Sequence, residues 1–172
     1  MWGIMIRVKV LLHALRATVS CALLLATCKT VLAAEAMGTA SATVLQPVTV
    51  AKIADLDFGK IVSGPSASTV SLSPAGLFQC GTGITCLDSH SAARFSVSGV
   101  PGHLVNIQSD SQIMLSATGG QKMQVALETS AKTLKLNSGS NNFIDVGGTL
   151  SVGAFQAEGV YTGLFTITVN YF

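Results

Sequence analysis

A few cysteine, aspartate and histidine side chains are the main candidates for chemistry in this chain. Cys80 and Cys86 enclose the segment Gly-Thr-Gly-Ile-Thr, a C-x5-C spacing. Because cysteines of an exported protein pair in oxidising compartments, we predict a disulfide between them. A metal site that added His90 would read C-x5-C-x3-H, which lacks a fourth ligand and the usual short cysteine spacing. We therefore expect no metal.

Asp55 and Asp57 could hold a cation or serve acid–base catalysis, because carboxylates do both. They alternate with Leu56 and Phe58, a pattern typical of a strand with one solvated face. His103 could act as a base, but no partner lies near it in sequence. The chain contains no H-E-x-x-H, no G-x-S-x-G and no complete glycine-rich phosphate loop. We expect a non-enzymatic protein without a cofactor; an enzyme that uses Asp55, Asp57 or His103 is the less favoured alternative.

The first 33 residues have the features of a secretory signal peptide. Basic residues precede an apolar run at residues 17–28, and small residues follow it. The run is shorter than the ~18 residues that a membrane span requires. We expect cleavage after Ala33, with cleavage after Ala34 or Ala36 as alternatives, and no membrane span in the mature chain. The protein is then exported through the inner membrane to the periplasm, the cell surface or the extracellular medium.

Removal of the leader changes the charge of the protein. The full chain has a net charge of +2, whereas residues 34–172 carry six basic and eight acidic side chains, a net charge of −2. This part contains no basic stripe of the kind that binds phosphate backbones. We therefore expect no interaction with nucleic acid.

The rest of the chain consists of short alternating segments separated by turns. About nine or ten such segments, with turn signals about every eight to twelve residues and no helical pattern, predict an all-β protein with a β-sandwich architecture. Gly119-Gly120 and Gly147-Gly148 each lie between two alternating segments, which predicts a hairpin at each pair. We place an N-terminal arm at residues 34–46 and the sandwich domain at residues 47–172.

The final fourteen residues, 159–172, form the most pronounced alternating segment. Successive side chains point to opposite faces of a strand, so one face of this segment is apolar and the other carries mostly hydroxyl and amide groups. A terminal strand frays unless neighbours hold it, so this strand is expected to have a partner on at least one side. The apolar face carries Tyr161, Phe165, Ile167, Val169 and Tyr171.

Several stretches together carry a resemblance to a known family. They are the segment 42–50, the Leu-Asp-Phe-Gly element at 56–59, Gly147-Gly-Thr-Leu150, and the Gly-Val-Tyr-Thr-Gly motif at 159–163 with a near-terminal tyrosine. They resemble an uncharacterised family of secreted bacterial domains. That family is itself similar to pilin-type subunits of the chaperone–usher class and to spore-coat-U-like secreted proteins.

The resemblance implies an immunoglobulin-like sandwich that is one strand incomplete. A neighbouring copy would supply the missing strand from its N-terminal arm, with Ala40, Ala42 and Val44 facing the acceptor. The acceptor is an assembly groove whose wall carries Tyr161, Phe165, Ile167, Val169 and Tyr171. Such head-to-tail contacts build a filament, so the expected function is that of a secreted structural subunit of a fimbria-like fibre. Its expected partners are copies of itself or related subunits, with a periplasmic chaperone and an outer-membrane usher as further candidates.

The composition of the arm leaves an alternative open. Its even-numbered face is made mostly of small residues, so the arm could instead fold back on its own domain. The protein would then be a self-contained, monomeric, secreted or periplasmic binding module for a glycan or a matrix component.

Overall fold

The computed structural model describes residues 34–139 and 142–172, and the predicted signal peptide at residues 1–33 lies outside this part. The described residues form twelve strands and no helix, which confirms the all-β prediction. They accordingly contain no helix that could cross a membrane. The chain divides into two units, residues 1–42 and 43–172. Residues 34–42, the described part of the first unit, have no regular secondary structure.

The strands are short and pair antiparallel in three sheets. In chain order they are β1 Thr49–Ala54, β2 Lys60–Val62, β3 Ser68–Leu72, β4 Phe78–Cys80, β5 Thr85–Leu87, β6 Ala93–Ser98, β7 Leu104–Ser109, β8 Gln112–Ser116, β9 Lys122–Thr129, β10 Thr133–Lys135, β11 Phe143–Val152 and β12 Ile167–Tyr171. The largest sheet has the order β1-β6-β11-β3-β4, and β9 joins β8 to β11. A second sheet has the order β10-β7-β12, and β2 pairs with β5 in the third.

Two apolar clusters form the core between these sheets. The first lies between β6 and β11 on one side and β7 and β12 on the other, and includes Val97, Ile144, Val105 and Val169. Because inward side chains of two sheets meet there, the arrangement is consistent with the predicted sandwich. The second cluster is built around the inward side chains of β3, β9 and β11, together with Phe58.

The two Gly-Gly pairs have different roles. Gly119-Gly120 lies in the β8–β9 turn, where Gly120 has a φ of +81°, so this hairpin prediction is confirmed. The second hairpin prediction is wrong, because Gly147-Gly148 lies inside the continuous central strand β11. A Cβ at Gly147 would lie 2.1 Å from the carbonyl oxygen of Leu72 on β3. Glycine is needed there because two backbones approach closely, not because the chain turns.

The terminal strand β12 is shorter than the sequence indicates. Regular pairing covers Ile167–Tyr171, and an isolated bridge between Thr162 and Ser116 precedes it. The predicted alternation is nevertheless present: Val169 is buried, its odd-numbered neighbours are half-buried, and the even-numbered residues are exposed. The strand therefore presents its apolar face to the core.

Candidate assembly groove

An apolar groove of about 830 Å³ lies between two segments of the chain, one of which includes strand β2. Residues 55–63 form one wall, and residues 156–165 form most of the other. The floor consists of core side chains from β8, β9 and β11 and includes Ile113, Leu115, Met123, Val125, Leu150 and Val152. Val125 and Leu150 are buried, whereas the two β8 residues and Met123 are only half-buried. The second apolar cluster is therefore left partly open along the groove.

One end of the groove is closed by hydrogen bonds between its walls. Ser63 Oγ donates to the carbonyl oxygen of Gln156 at 3.1 Å, and the Phe155 N–H donates to the carbonyl oxygen of Gly64 at 2.8 Å. Phe155 has a φ of +48°, and its side chain is exposed. A bulky residue in the left-handed region is strained, so the two wall bonds hold this loop in an unfavourable conformation.

The Tyr161 hydroxyl organises the same end of the groove. It accepts a hydrogen bond from Gln156 Nε2 at 2.8 Å and donates one to the carbonyl oxygen of Ala157 at 2.7 Å. Gly163 allows the wall to pass close to β8, since a Cβ there would lie 2.8 Å from the carbonyl oxygen of Met114. The Gly-Val-Tyr-Thr-Gly motif at 159–163 thus shapes the part of the wall that lies beside the β8–β9 hairpin.

Tyr171 lies beyond the groove, at the other end of the segment 156–171. Its hydroxyl accepts a hydrogen bond from the Val100 N–H at 2.7 Å and donates to the carbonyl oxygen of Gln46 at 3.1 Å. The ring of His103 packs edge-on against the tyrosine ring, with 5.8 Å between centroids. Tyr171 therefore links the terminal strand both to the β6–β7 loop and to the point where the N-terminal arm meets the domain.

These contacts define the direction of both walls. Gln46 lies at the Tyr171 end and Ser63 lies at the Gln156 end, so residues 46–63 run antiparallel to residues 156–171. The chain consequently enters the domain at the Tyr171 end.

The outer edge of β12 is free along its length. On the inner edge, the Phe172 N–H donates to Leu104 and the Thr166 carbonyl oxygen accepts from Asp110, so even-numbered residues pair inward. Backbone groups alternate in direction along a strand, and those of the odd-numbered residues therefore point outward. Among the described residues, no strand pairs with that outer edge. It offers a row of donors and acceptors to an added strand.

A disulfide ties one wall to the main sheet. Cys80 on β4 and Cys86 on β5 are bonded, which confirms the predicted pair. Since β5 pairs with β2, the bond connects the wall residues of β2 to the sheet that contains β4. Beside it, a hydrogen bond to the Asp88 carboxylate raises the pKa of Lys60 above its ordinary value.

The five predicted groove residues fall into two groups. Tyr161 and Phe165 line the groove, whereas Ile167, Val169 and Tyr171 pack against the first core cluster. The predicted donor residues Ala40, Ala42 and Val44 are exposed.

The polar candidates are not assembled into a catalytic site. Asp55 accepts a hydrogen bond from Lys52, and Asp57 accepts one from the backbone of Gly59, both at the rim of the groove. His103 lies beside Tyr171 instead, and His90 stacks on Phe78. In residues 34–139 and 142–172, no group of three His, Cys, Asp or Glu side chains could hold a metal ion.

Sequence reasoning missed the floor of the groove. Ile113, Leu115 and Met123 alternate as any core residues do, and their pattern indicates burial. Their partial exposure arises because they line an open groove, a feature that no local pattern encodes.

A family model described as "Domain of unknown function (DUF4402)" matches residues 48–171. No curated protein and no solved structure matches the chain.

Proposed function

We propose that this chain, which belongs to the family described as Domain of unknown function (DUF4402), is an exported structural subunit that assembles by β-strand donation. In this proposal the domain is an immunoglobulin-like sandwich that lacks one strand. The N-terminal arm of a neighbouring copy supplies that strand, and repetition of the contact builds a surface fibre. The observation that carries the proposal is the free outer edge of β12 next to an open apolar groove.

The residues of β12 support this role because they do not protect the edge. Natural edge strands avoid unwanted pairing by being very short or by carrying lysine, proline or a bulge. Strand β1 carries Lys52 and a register shift, β10 has three residues and carries Lys135, and β4 also has three residues. Strand β12, Ile-Thr-Val-Asn-Tyr, has none of these features. An unprotected apolar edge is typical of a surface that is covered in the assembled protein.

The groove explains how the added strand would be held. Strand addition gains affinity from main-chain hydrogen bonds and specificity from alternate side chains in pockets. The outward backbone groups of β12 supply the first, and the end of the groove beside Phe165 supplies an apolar pocket for the second. Each methylene group buried in this pocket would contribute about 0.8 kcal/mol.

The proposal is tested by removing the arm while retaining Gln46, whose carbonyl oxygen accepts the hydrogen bond from Tyr171. The full chain should form multimers on size-exclusion chromatography and on unheated gels, and a variant lacking residues 36–45 should remain monomeric. Folding of the variant is checked by circular dichroism. If the shortened protein still forms the same multimers, strand donation is excluded.

A synthetic peptide provides the complementary test. A peptide of residues 36–46 should bind the arm-less variant and raise its unfolding temperature, because a ligand that binds only the folded state stabilises it. The matched control is the same peptide with Ala40 and Ala42 replaced by Asp, which would place two charges on its apolar face. Equal stabilisation by both peptides would contradict the proposed contact.

The groove volume favours one alternative function. About 830 Å³ lies within the range of small-molecule pockets. In this second candidate, the protein is a monomeric exported module whose groove receives a ligand. Its distinguishing result is a full-length protein that stays monomeric at every concentration tested.

A further inference from the structure

The exposed face of the terminal segment carries a pattern that recurs in the arm. From 164 to 172 the outward side chains are Leu, Thr, Thr, Asn and Phe: two apolar ends around three polar residues. From 37 to 45 the odd-numbered residues of the arm are Met, Thr, Ser, Thr and Leu. Both segments have nine residues, and their apolar ends are separated by the same distance along a strand.

The apolar ends of both segments are exposed. Leu164 is 95% exposed, Phe172 is 78% exposed, and Met37 is fully exposed. Leu45 is the least exposed of the four, at 38%. An added strand with apolar side chains at the matching positions would cover Leu164 and Phe172 and remove apolar surface from water.

From this correspondence we propose that Met37–Leu45 of a second copy pairs antiparallel with Leu164–Phe172. The proposal rests on the proposed function and assigns the register of the donated strand. Met37 then lies opposite Phe172 and Leu45 opposite Leu164. The three polar pairs between them are Thr39–Asn170, Ser41–Thr168 and Thr43–Thr166. Each outward pair joins two apolar or two polar side chains, and the Ser41–Thr168 and Thr43–Thr166 pairs are of a kind that stabilises a sheet by about 0.2–1 kcal/mol each.

The antiparallel direction follows from the shape of the inward surface. Inward arm residues then meet the odd-numbered residues of the terminal segment. Val44 lies opposite Phe165, where the groove begins, and Gly38 lies opposite Tyr171, where the core is already filled. The small residues of the arm thus lie over the shallow part of the acceptor. A parallel strand would place Gly38 opposite Phe165 and Val44 opposite Tyr171, which reverses this fit.

The direction also determines what kind of assembly results. An antiparallel arm emerges from the acceptor at the Ser63–Gln156 end, whereas it leaves its own domain at the Tyr171 end. The Ser63–Gln156 end of the acceptor copy therefore meets the Tyr171 end of the donor copy, and repetition of this contact gives an open fibre. With a parallel arm, the two Tyr171 ends would meet, which closes the assembly as a two-fold dimer.

Disulfide trapping tests this register directly. Outward residues form the non-hydrogen-bonded pairs of the ladder, whose Cα atoms lie about 4.5 Å apart. This distance is within the range of a disulfide, about 4.4–6.8 Å. Two full-length versions, Leu45→Cys and Leu164→Cys, are co-expressed, and linked dimers are quantified on non-reducing gels. The comparison pair is Leu45→Cys with Phe172→Cys, whose Cα atoms would be about 27 Å apart in the antiparallel register.

We expect at least tenfold more linked dimer from the Leu45–Leu164 pair, and none from any single-cysteine version alone. More linkage from the Leu45–Phe172 pair would establish the parallel direction and overturn the proposal. Multimers without either linkage would refute this register while leaving strand donation in place. The absence of both multimers and linkage would refute the proposed function as well.

Discussion

Replacement of Tyr171 by Phe isolates the contribution of the hydroxyl that links the terminal strand to Val100 and to Gln46 at the root of the arm. The ring keeps its packing against His103 and the first core cluster. The part-buried N–H of Val100 loses its acceptor, and the exposed carbonyl oxygen of Gln46 loses a donor that water can replace. An unsatisfied buried donor costs about 1–3 kcal/mol, so we expect the free energy of unfolding to fall by about 2 kcal/mol.

Equilibrium unfolding in urea measures this loss, at protein concentrations below those at which multimers form. With a slope of about 2 kcal/mol/M, the midpoint should fall by about 1 M and the slope should not change. Tyr161→Phe is the matched control, because its hydroxyl bonds only residues within five positions. We expect it to cost about 0.5–1.5 kcal/mol, because the donor that loses its acceptor is a Gln156 side-chain amide that can turn to water, whereas the Val100 N–H is fixed in the backbone. If the control costs as much as Tyr171→Phe, the inferred long-range role of Tyr171 is wrong.

Three further experiments test the packing of the domain. Val169→Asp should abolish soluble folded protein, since an unpaired buried charge costs more than ~4 kcal/mol. Its control, Thr168→Asp on the exposed face, should change the free energy of unfolding by less than ~1 kcal/mol. Equal loss of the circular dichroism signal in both variants would contradict the assigned faces. Gly147→Ala should lower the thermal unfolding midpoint by an amount equivalent to roughly 3 kcal/mol because its Cβ meets the β3 backbone, and an unchanged midpoint would exclude that close approach. Replacing both Cys80 and Cys86 by Ser should lower the free energy of unfolding, measured in urea, by about 2.4 kcal/mol, the value that the entropy of a short closed loop predicts. A loss below ~1 kcal/mol would show that the disulfide does not restrain the wall.

Local sequence patterns predicted those features of the fold that depend on contacts between residues close together in the chain. The alternation at β12, the hairpin at Gly119-Gly120 and the Cys80–Cys86 bond each depend on residues close in sequence. Gly147-Gly148 has the same local pattern as the first Gly-Gly pair but lies within a central strand. The difference depends on β3, which is about seventy residues away in the chain and whose backbone leaves no space for a side chain. A single sequence does not reveal that contact.

The candidate groove shows the same division between local and distant information. Its wall residues Tyr161 and Phe165 were identified because they alternate in a terminal segment. Its floor was not, because Ile113 and Met123 have the periodicity of ordinary core residues. Whether such a residue is covered depends on the number of strands in the sheet above it, which is a property of the whole topology.

The direction of the arm follows from the junction at Gln46 and Pro47. A residue before proline is restricted to extended conformations, because the proline ring collides with a helical or tightly turned neighbour. Gln46 is held in addition by the hydroxyl of Tyr171. For the arm to enter its own groove, the chain would have to reverse close to Gln46, where the following proline favours extended backbone. For the arm to enter the groove of another copy, it needs only to continue in the extended conformation, and this difference favours exchange between copies over self-insertion.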